Sequence, residues 1–173
     1  MTALGDLVQH SDPAMTVVTT TAGGTRAGCL VGFHSQSGMD PDVYAVWLSK
    51  ANHTYDVATR ADRFAVHFLA SDQRDLARRF GTTCGATTDK FADLEWASDA
   101  GGVPLLDACP GRLVGTRQAF VDTGSDHVCL VLDVVEVALA DNGFTPLRLS
   151  DVVDLVPAHE GGDGPGADPE AVQ

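Results

Sequence analysis

The chain has 173 residues, 44% apolar and 20% charged, with a mean hydropathy near zero. That size and composition suit one globular domain with its own core, and they exclude a disordered chain and a helical membrane protein. The net charge is −13, with 11 basic against 24 acidic residues. This balance excludes a general nucleic-acid binder, whose affinity depends on Lys and Arg neutralising phosphates, and disfavours an anionic membrane surface.

No apolar run approaches the ~18–20 residues of a spanning helix. Met1 to His10 hold no basic residue and no long apolar block, so no secretory signal is expected and a cytoplasmic location is. The four cysteines, at 29, 84, 109 and 129, form no Cys-x-x-Cys pair and no zinc-ligand spacing. Cys29 and Cys129 sit in apolar runs and read as reduced thiols.

Leu4, Leu7 and Val8 have helical spacing and allow a short N-terminal helix. Met15–Thr21 is β-branched and predicts a first strand. Gly23-Gly24 predicts a two-residue hairpin turn, and Thr25–Phe33 a returning strand. His34-Ser-Gln-Ser37 then reads as a hydroxyl-rich loop. Asp42–Ser49, entered through Asp40-Pro41, is the third strand. Residues 52–61 suit a short helix capped by Asn52 or Thr54, and Phe64–Leu69 a buried fourth strand. Next comes a helix with Ser71 as N-cap, Leu76 and Phe80 as its apolar stripe and Gly81 at its stop. Thr82–Asp107 reads as irregular, with a turn of helix at Asp89–Leu94. Two long strands, Arg112–Val121 and His127–Leu139, are joined by a turn at Gly124-Ser-Asp126. A short strand at Thr145–Leu149 closes the pattern. Strands outnumber helices and hairpin turns link them, so the fold expected is mainly β: a small antiparallel split β-barrel with a few peripheral helices. Residues 1–12 read as an extension, 13–158 as the domain, and 159–173 as an acidic Gly/Pro-rich disordered tail.

No Gly-x-Gly-x-x-Gly follows a strand, no Walker A lysine is present, and neither a Gly-x-Ser-x-Gly elbow nor a His-Glu-x-x-His pair occurs. No metal site is expected. Four segments carry candidate chemistry. His34–Ser37 offers hydroxyl and backbone donors. Ser49-Lys50-Ala-Asn52-His53-Thr54 places hydroxyls and a lysine at a strand-to-helix junction, a ready anion site. Asp89-Lys90-Phe91 is the third segment. Gly124-Ser-Asp-His127 sets a histidine at the start of a long strand. The two lysines of the chain, Lys50 and Lys90, both fall in these segments.

Taken in order, these segments resemble the flavin reductase-like family with its FMN-binding split barrel. The resemblance rests on Met15–Thr20, on Gly28 to Pro41, on Val43 to Thr54 and on Arg63-Phe-Ala-Val. It continues through Asp72-Gln73…Leu76-Ala77-Arg78-Arg79-Phe80, Asp89-Lys90-Phe91, Gly102-Val-Pro-Leu-Leu106 and Gly124-Ser-Asp-His127, and covers residues 13–150. It implies a homodimer that binds FMN, or FAD, near its interface and reduces it with NADH or NADPH. A monooxygenase partner is also implied. It implies that Phe33, His34, Ser35, Gln36 and Ser37 run along the flavin ring and ribityl chain. Ser49, Lys50, Asn52 and Thr54 would hold the phosphate, Lys90 and Phe91 would lie over the outer site, and His127 would sit by the nicotinamide as the catalytic histidine. His34 and Gln36 stand where the family commonly has Thr and Val, and Pro146–Asp151 lacks the aromatics often found there. The alternative is a split-barrel flavin-, deazaflavin- or haem-binding protein with another redox substrate or no reductase turnover.

Overall fold

A computed structural model describes residues 2–157. A short helix, α1 (Ala3–Ser11), precedes the barrel strands β1 (Thr16–Ala22), β2 (Thr25–Val31), β3 (His34–Met39) and β4 (Asp42–Ser49). Helix α2 (His53–Ala58), strand β5 (Arg63–Phe68) and helix α3 (Arg74–Thr82) follow. A small hairpin, β6 (Trp96–Ser98) and β7 (Pro104–Leu106), then leads into the long strands β8 (Gly111–Asp122) and β9 (His127–Leu139). None of the described helices is long and apolar enough to cross a membrane.

Seven strands form one sheet in the order β2-β1-β5-β8-β9-β4-β3, and every pairing in it is antiparallel. The sheet curls until β2 and β4 meet. Ala27, Cys29 and Val31 of β2 share one core cluster with Val46 and Leu48 of β4, although no ladder joins those strands. The barrel is therefore closed by side chains where it is split in hydrogen bonding.

The strand sequences explain this layering. β1 is buried on both faces: Val18 points into the barrel, and Val17 points out into a second core with Leu69, Phe80, Leu106 and Leu147. A doubly buried strand reads as a continuous rather than alternating run. Its threonines survive burial because each hydroxyl finds a carbonyl: Thr16 donates to Val31 O at 3.1 Å, Thr19 to Pro104 O at 2.6 Å and Thr20 to Arg63 O at 2.7 Å. Gly23 and Gly24 turn the first hairpin with φ of +57° and +81°, the left-handed pair that a two-residue loop needs.

Several sequence expectations change in the structure. The strand expected to reach Phe33 ends at Val31, and the loop expected at His34–Ser37 is part of β3, paired with Tyr44, Ala45 and Val46. Polar residues serve here because β3 is an edge strand with an exposed face. Ser71 does not cap α3. Its N–H bonds Thr145 O, the Gln73 side chain accepts from Ala70 N–H, and the helix starts two residues later, with Gln73 at the N-cap position and Gly81 inside it. The region expected to be irregular contains the β6–β7 hairpin. The strand expected at Thr145–Leu149 reduces to two isolated bridges, Ala70 with Pro146 and Ala14 with Arg148, ahead of a 3-10 turn at Leu149–Asp151. Asn52, not Thr54, caps α2. The tail expected beyond residue 158 lies outside the described residues.

Candidate functional site

The ladder between β4 and β9 positions the polar wall of the site. It ends on the pair Ser49–His127, so the last residue of one strand stands opposite the first of the other. The β8–β9 turn is fastened to the β4–α2 junction at two points: Lys50 N–H donates to Asp126 O at 2.9 Å, and Lys50 Nζ donates to Asp122 Oδ1 at 2.8 Å. Asp122 also accepts from Gly124 N–H at 2.8 Å. The Lys50 ammonium first and that N–H second hold the Asp122 carboxyl below its usual range.

At the junction, Ser49 Oγ accepts from Ala51 N–H at 3.4 Å, and Asn52 Oδ1 accepts from Thr54 N–H at 3.1 Å. These bonds use acceptor capacity and leave the Ser49 hydroxyl proton and the Asn52 NH2 as donors. His127 Nδ1 lies 3.0 Å from Asp126 Oδ1. A carboxylate accepts only, so Nδ1 carries a proton, and Nε2 is the ring atom that remains for a ligand. The bond to His127 is the main cause that lowers the Asp126 carboxyl. Phe33, 52% exposed, meets the His127 ring edge-on with centroids 5.3 Å apart.

Ser49, Asn52, Asp126 and His127 form one side of a cleft of about 410 Å³. The other side is apolar. Met15, Leu30 and Phe80 come from the barrel wall and α3, and Leu149, Val152 and Leu155 from the C-terminal segment. Sequence reasoning named none of these six as site residues. In the sequence nothing marks them as lining a cleft, and only the second core brings them together.

The remaining candidates are placed as follows. Ser35, Gln36 and Ser37 are exposed on β3, with an irregularity in the ladder at Ser37. His34 is a tie within the fold: Nε2 lies 2.8 Å from Ala14 O and Nδ1 2.7 Å from Tyr44 Oη. Since a carbonyl only accepts, Nε2 is protonated and Nδ1 accepts from the tyrosine. Burial lowers the His34 pKa, and burial raises that of Tyr44 to about 12. Thr54 is 1% exposed, on the buried face of α2, and its hydroxyl bonds the Cys29 thiol. Lys90 is 4% exposed; its Nζ donates to Gly28 O and Phe80 O, each at 3.0 Å. The lysine thus satisfies a carbonyl of the last turn of α3, a favourable place for a cation. Phe91 is buried edge-on against Phe80, with centroids 5.5 Å apart. The structure therefore brings Ser49, Asn52 and His127 to the cleft, with Lys50 and Phe33 beside them. Thr54, Lys90 and Phe91 do not line it.

Residues 11–152 match the model of the flavin reductase like domain. The chain is 31% identical over 127 residues to the FMN reductase (NADH) SmoA of Agrobacterium fabrum strain C58, covering 73% of this chain and 70% of that one. It is 31% identical over 118 residues to the reductase component of the flavin-dependent trigonelline monooxygenase of Acinetobacter baylyi, covering 68% of this chain. It spans only 37% of that protein's length, and also 37% of a probable flavin reductase from Rhizobium meliloti. Among solved structures, a flavin reductase domain protein from Arthrobacter sp. FB24 superposes with a TM-score of 0.73 at 20% identity, covering 81% of this chain and 85% of that one, which shows a shared fold. The chain belongs to the flavin reductase-like family.

Proposed function

We propose that the chain is an NAD(P)H-dependent flavin reductase that takes FMN, with FAD as the larger alternative, in the cleft beside His127. One observation carries this reading: a largely apolar cleft whose polar side presents the cross-strand pair Ser49 and His127 together with Asn52. A flavin has a matching division, with an apolar ring face and a polar edge and phosphate. When bound, it supplies the acceptor for the nicotinamide hydride, so the protein needs neither a nucleophile nor a metal of its own.

The residues present fit that group. The Ser49 hydroxyl, the Asn52 amide and the Lys50 ammonium supply donors for a phosphate. Helix α2 has only six residues, so side chains rather than a helix dipole provide the attraction. Leu30, Phe80, Val152 and Leu155 line the cleft and would shield a bound flavin from water. The His127 imidazole, oriented by Asp126, offers Nε2 to the polar ring edge or to the nicotinamide amide. Such placement acts by positioning and by stabilising charge as it develops.

The chain works as a homodimer in this reading. The outer face of β4, β9 and β8 carries an apolar row, Trp47–Cys129–Val121, two residues along the ladder from Ser49–His127 and on the same face. Trp47 is 36% and Val121 46% exposed. A symmetric partner seated there would cover the row and border the cleft. Reduced flavin would pass to a monooxygenase, as the name of the Acinetobacter relative's system suggests for that protein. Consumption of NADH or NADPH that requires added FMN, followed at 340 nm with the purified chain, tests the reading.

A further inference from the structure

We propose that Asp122 is an internal rival of the flavin phosphate for Lys50, and so sets how strongly the cleft prefers a phosphorylated flavin to an unphosphorylated one. This rests on the reading that Ser49, Lys50 and Asn52 hold the phosphate.

No lysine or arginine lines the cleft among the described residues, and Asp126 adds negative charge to its polar side. The cation nearest in the chain to that side is Lys50, between Ser49 and Asn52. Its main chain is fixed against the β8–β9 turn by the bond to Asp126 O, so the ammonium swings from an anchored point. At 2.8 Å from Asp122 Oδ1, the ammonium already holds an anion. Asp122 is in turn held in place by Gly124 N–H. The carboxylate therefore occupies, relative to Lys50, the role that a phosphate oxygen would take.

Lys50 and Asp122 side chains are 34% and 51% exposed. An ion pair so open to water contributes little and exchanges readily. A phosphate monoester carries a charge of about −1.5 to −2 near neutral pH, against −1 for the carboxylate, and presents three acceptor oxygens. It therefore wins the lysine, but against a displaced carboxylate that stays close and repels it. Riboflavin lacks the phosphate and meets no such contest. Asp122 thus weakens FMN binding selectively and lowers the ratio of FMN to riboflavin affinity.

Fluorescence titrations of FMN and of riboflavin with wild type, Asp122→Asn, Lys50→Ala and the double variant test this. Asparagine keeps an acceptor for Gly124 N–H and removes only the charge. Asp122→Asn should tighten FMN about three- to fivefold and leave riboflavin unchanged. The gain should disappear in the double variant and shrink as salt screens the contest. Lys50→Ala should weaken FMN alone. If Lys50→Ala weakens FMN but Asp122→Asn leaves it unchanged or weaker, the rivalry is overturned and the phosphate site stands. If Lys50→Ala affects neither flavin, or both equally, the phosphate site itself is wrong. A far-UV circular dichroism spectrum and urea unfolding midpoint matching wild type check that each variant is folded.

Discussion

Ser49 and His127 are cross-strand partners, the terminal pair of the β4–β9 ladder. Directly opposed residues have their Cβ atoms about 4.5–5.5 Å apart. The register of one sheet therefore fixes the distance between the end of the site that offers hydroxyl and amide donors and the end that offers an imidazole. A slip of one residue would turn His127 to the inner face of the barrel.

His127→Ala is predicted to lower kcat roughly tenfold, about the contribution of one good hydrogen bond, with a smaller effect on flavin affinity. An interaction made mainly in the transition state appears in kcat rather than in KM. Steady-state kinetics and a flavin titration on the purified variant check both, and a wild-type kcat would remove His127 from the mechanism.

Much of the barrel was legible in the sequence because hairpin chemistry is local. Gly23-Gly24 and Gly124-Ser-Asp126 announce their turns, and the strands on either side have apolar runs of the right length. His34–Ser37 was not legible as a strand, because an edge strand tolerates polar residues that composition assigns to loops. The start of α3 was missed because Ser71 is engaged by Thr145, a contact 74 positions away in the chain. The lining of the candidate cleft was legible in its polar half alone. Ser49, Asn52 and His127 carry chemistry that stands out; Leu30, Val152 and Leu155 are ordinary hydrophobes that only the tertiary fold collects. Lys90 stood out for the opposite reason, since a lysine buried on two carbonyls resembles a ligand-binding one in sequence.

His67 is buried and neutral. Its Nδ1 donates to Val17 O at 3.1 Å, and its Nε2 accepts from Leu106 N–H at 3.0 Å. Burial, above all, pushes its pKa down to about 4 from an ordinary value near 6.5. Above about pH 6.5 both folded and unfolded chains leave this ring neutral. As pH falls below that, the unfolded chain takes up a proton that the folded chain refuses until about pH 4. The linked loss of stability reaches about 3 kcal/mol once pH falls past the folded value. Urea unfolding at pH 7, 6 and 5 should show stability falling with pH. His67→Gln should be less stable at pH 7 but flatter across the range; an unchanged slope would assign the acid sensitivity to other groups.

Gly28 lies beneath the Phe80 ring: a Cβ there would stand 2.8 Å from Phe80 Cε1 and 3.1 Å from Val18 O. Phe80 is fully buried and cannot move aside freely. Gly28→Ala should cost about 1–3 kcal/mol, the range for overpacking a filled core. Chemical denaturation reads this directly. A neutral substitution would show that α3 is free to shift, and with it the apolar wall of the cleft.

Trp47→Asp places a charge in the apolar row on the outer face of β4. If a second copy covers that row, the variant should sediment at the 18.1 kDa of one chain and the wild type at twice that mass. A wild-type chain that sediments as a monomer at micromolar concentration would rule out the interface.

The most direct measurement is the absorbance at 340 nm of NADH, and separately of NADPH, mixed with the purified chain in air, with and without FMN. The predicted result is slow or no oxidation of either nucleotide without flavin and rapid turnover when FMN is added, saturating with FMN concentration. A chain that binds FMN in the cleft yet leaves both nucleotides unoxidised would contradict a reductase and leave a flavin-binding protein in its place.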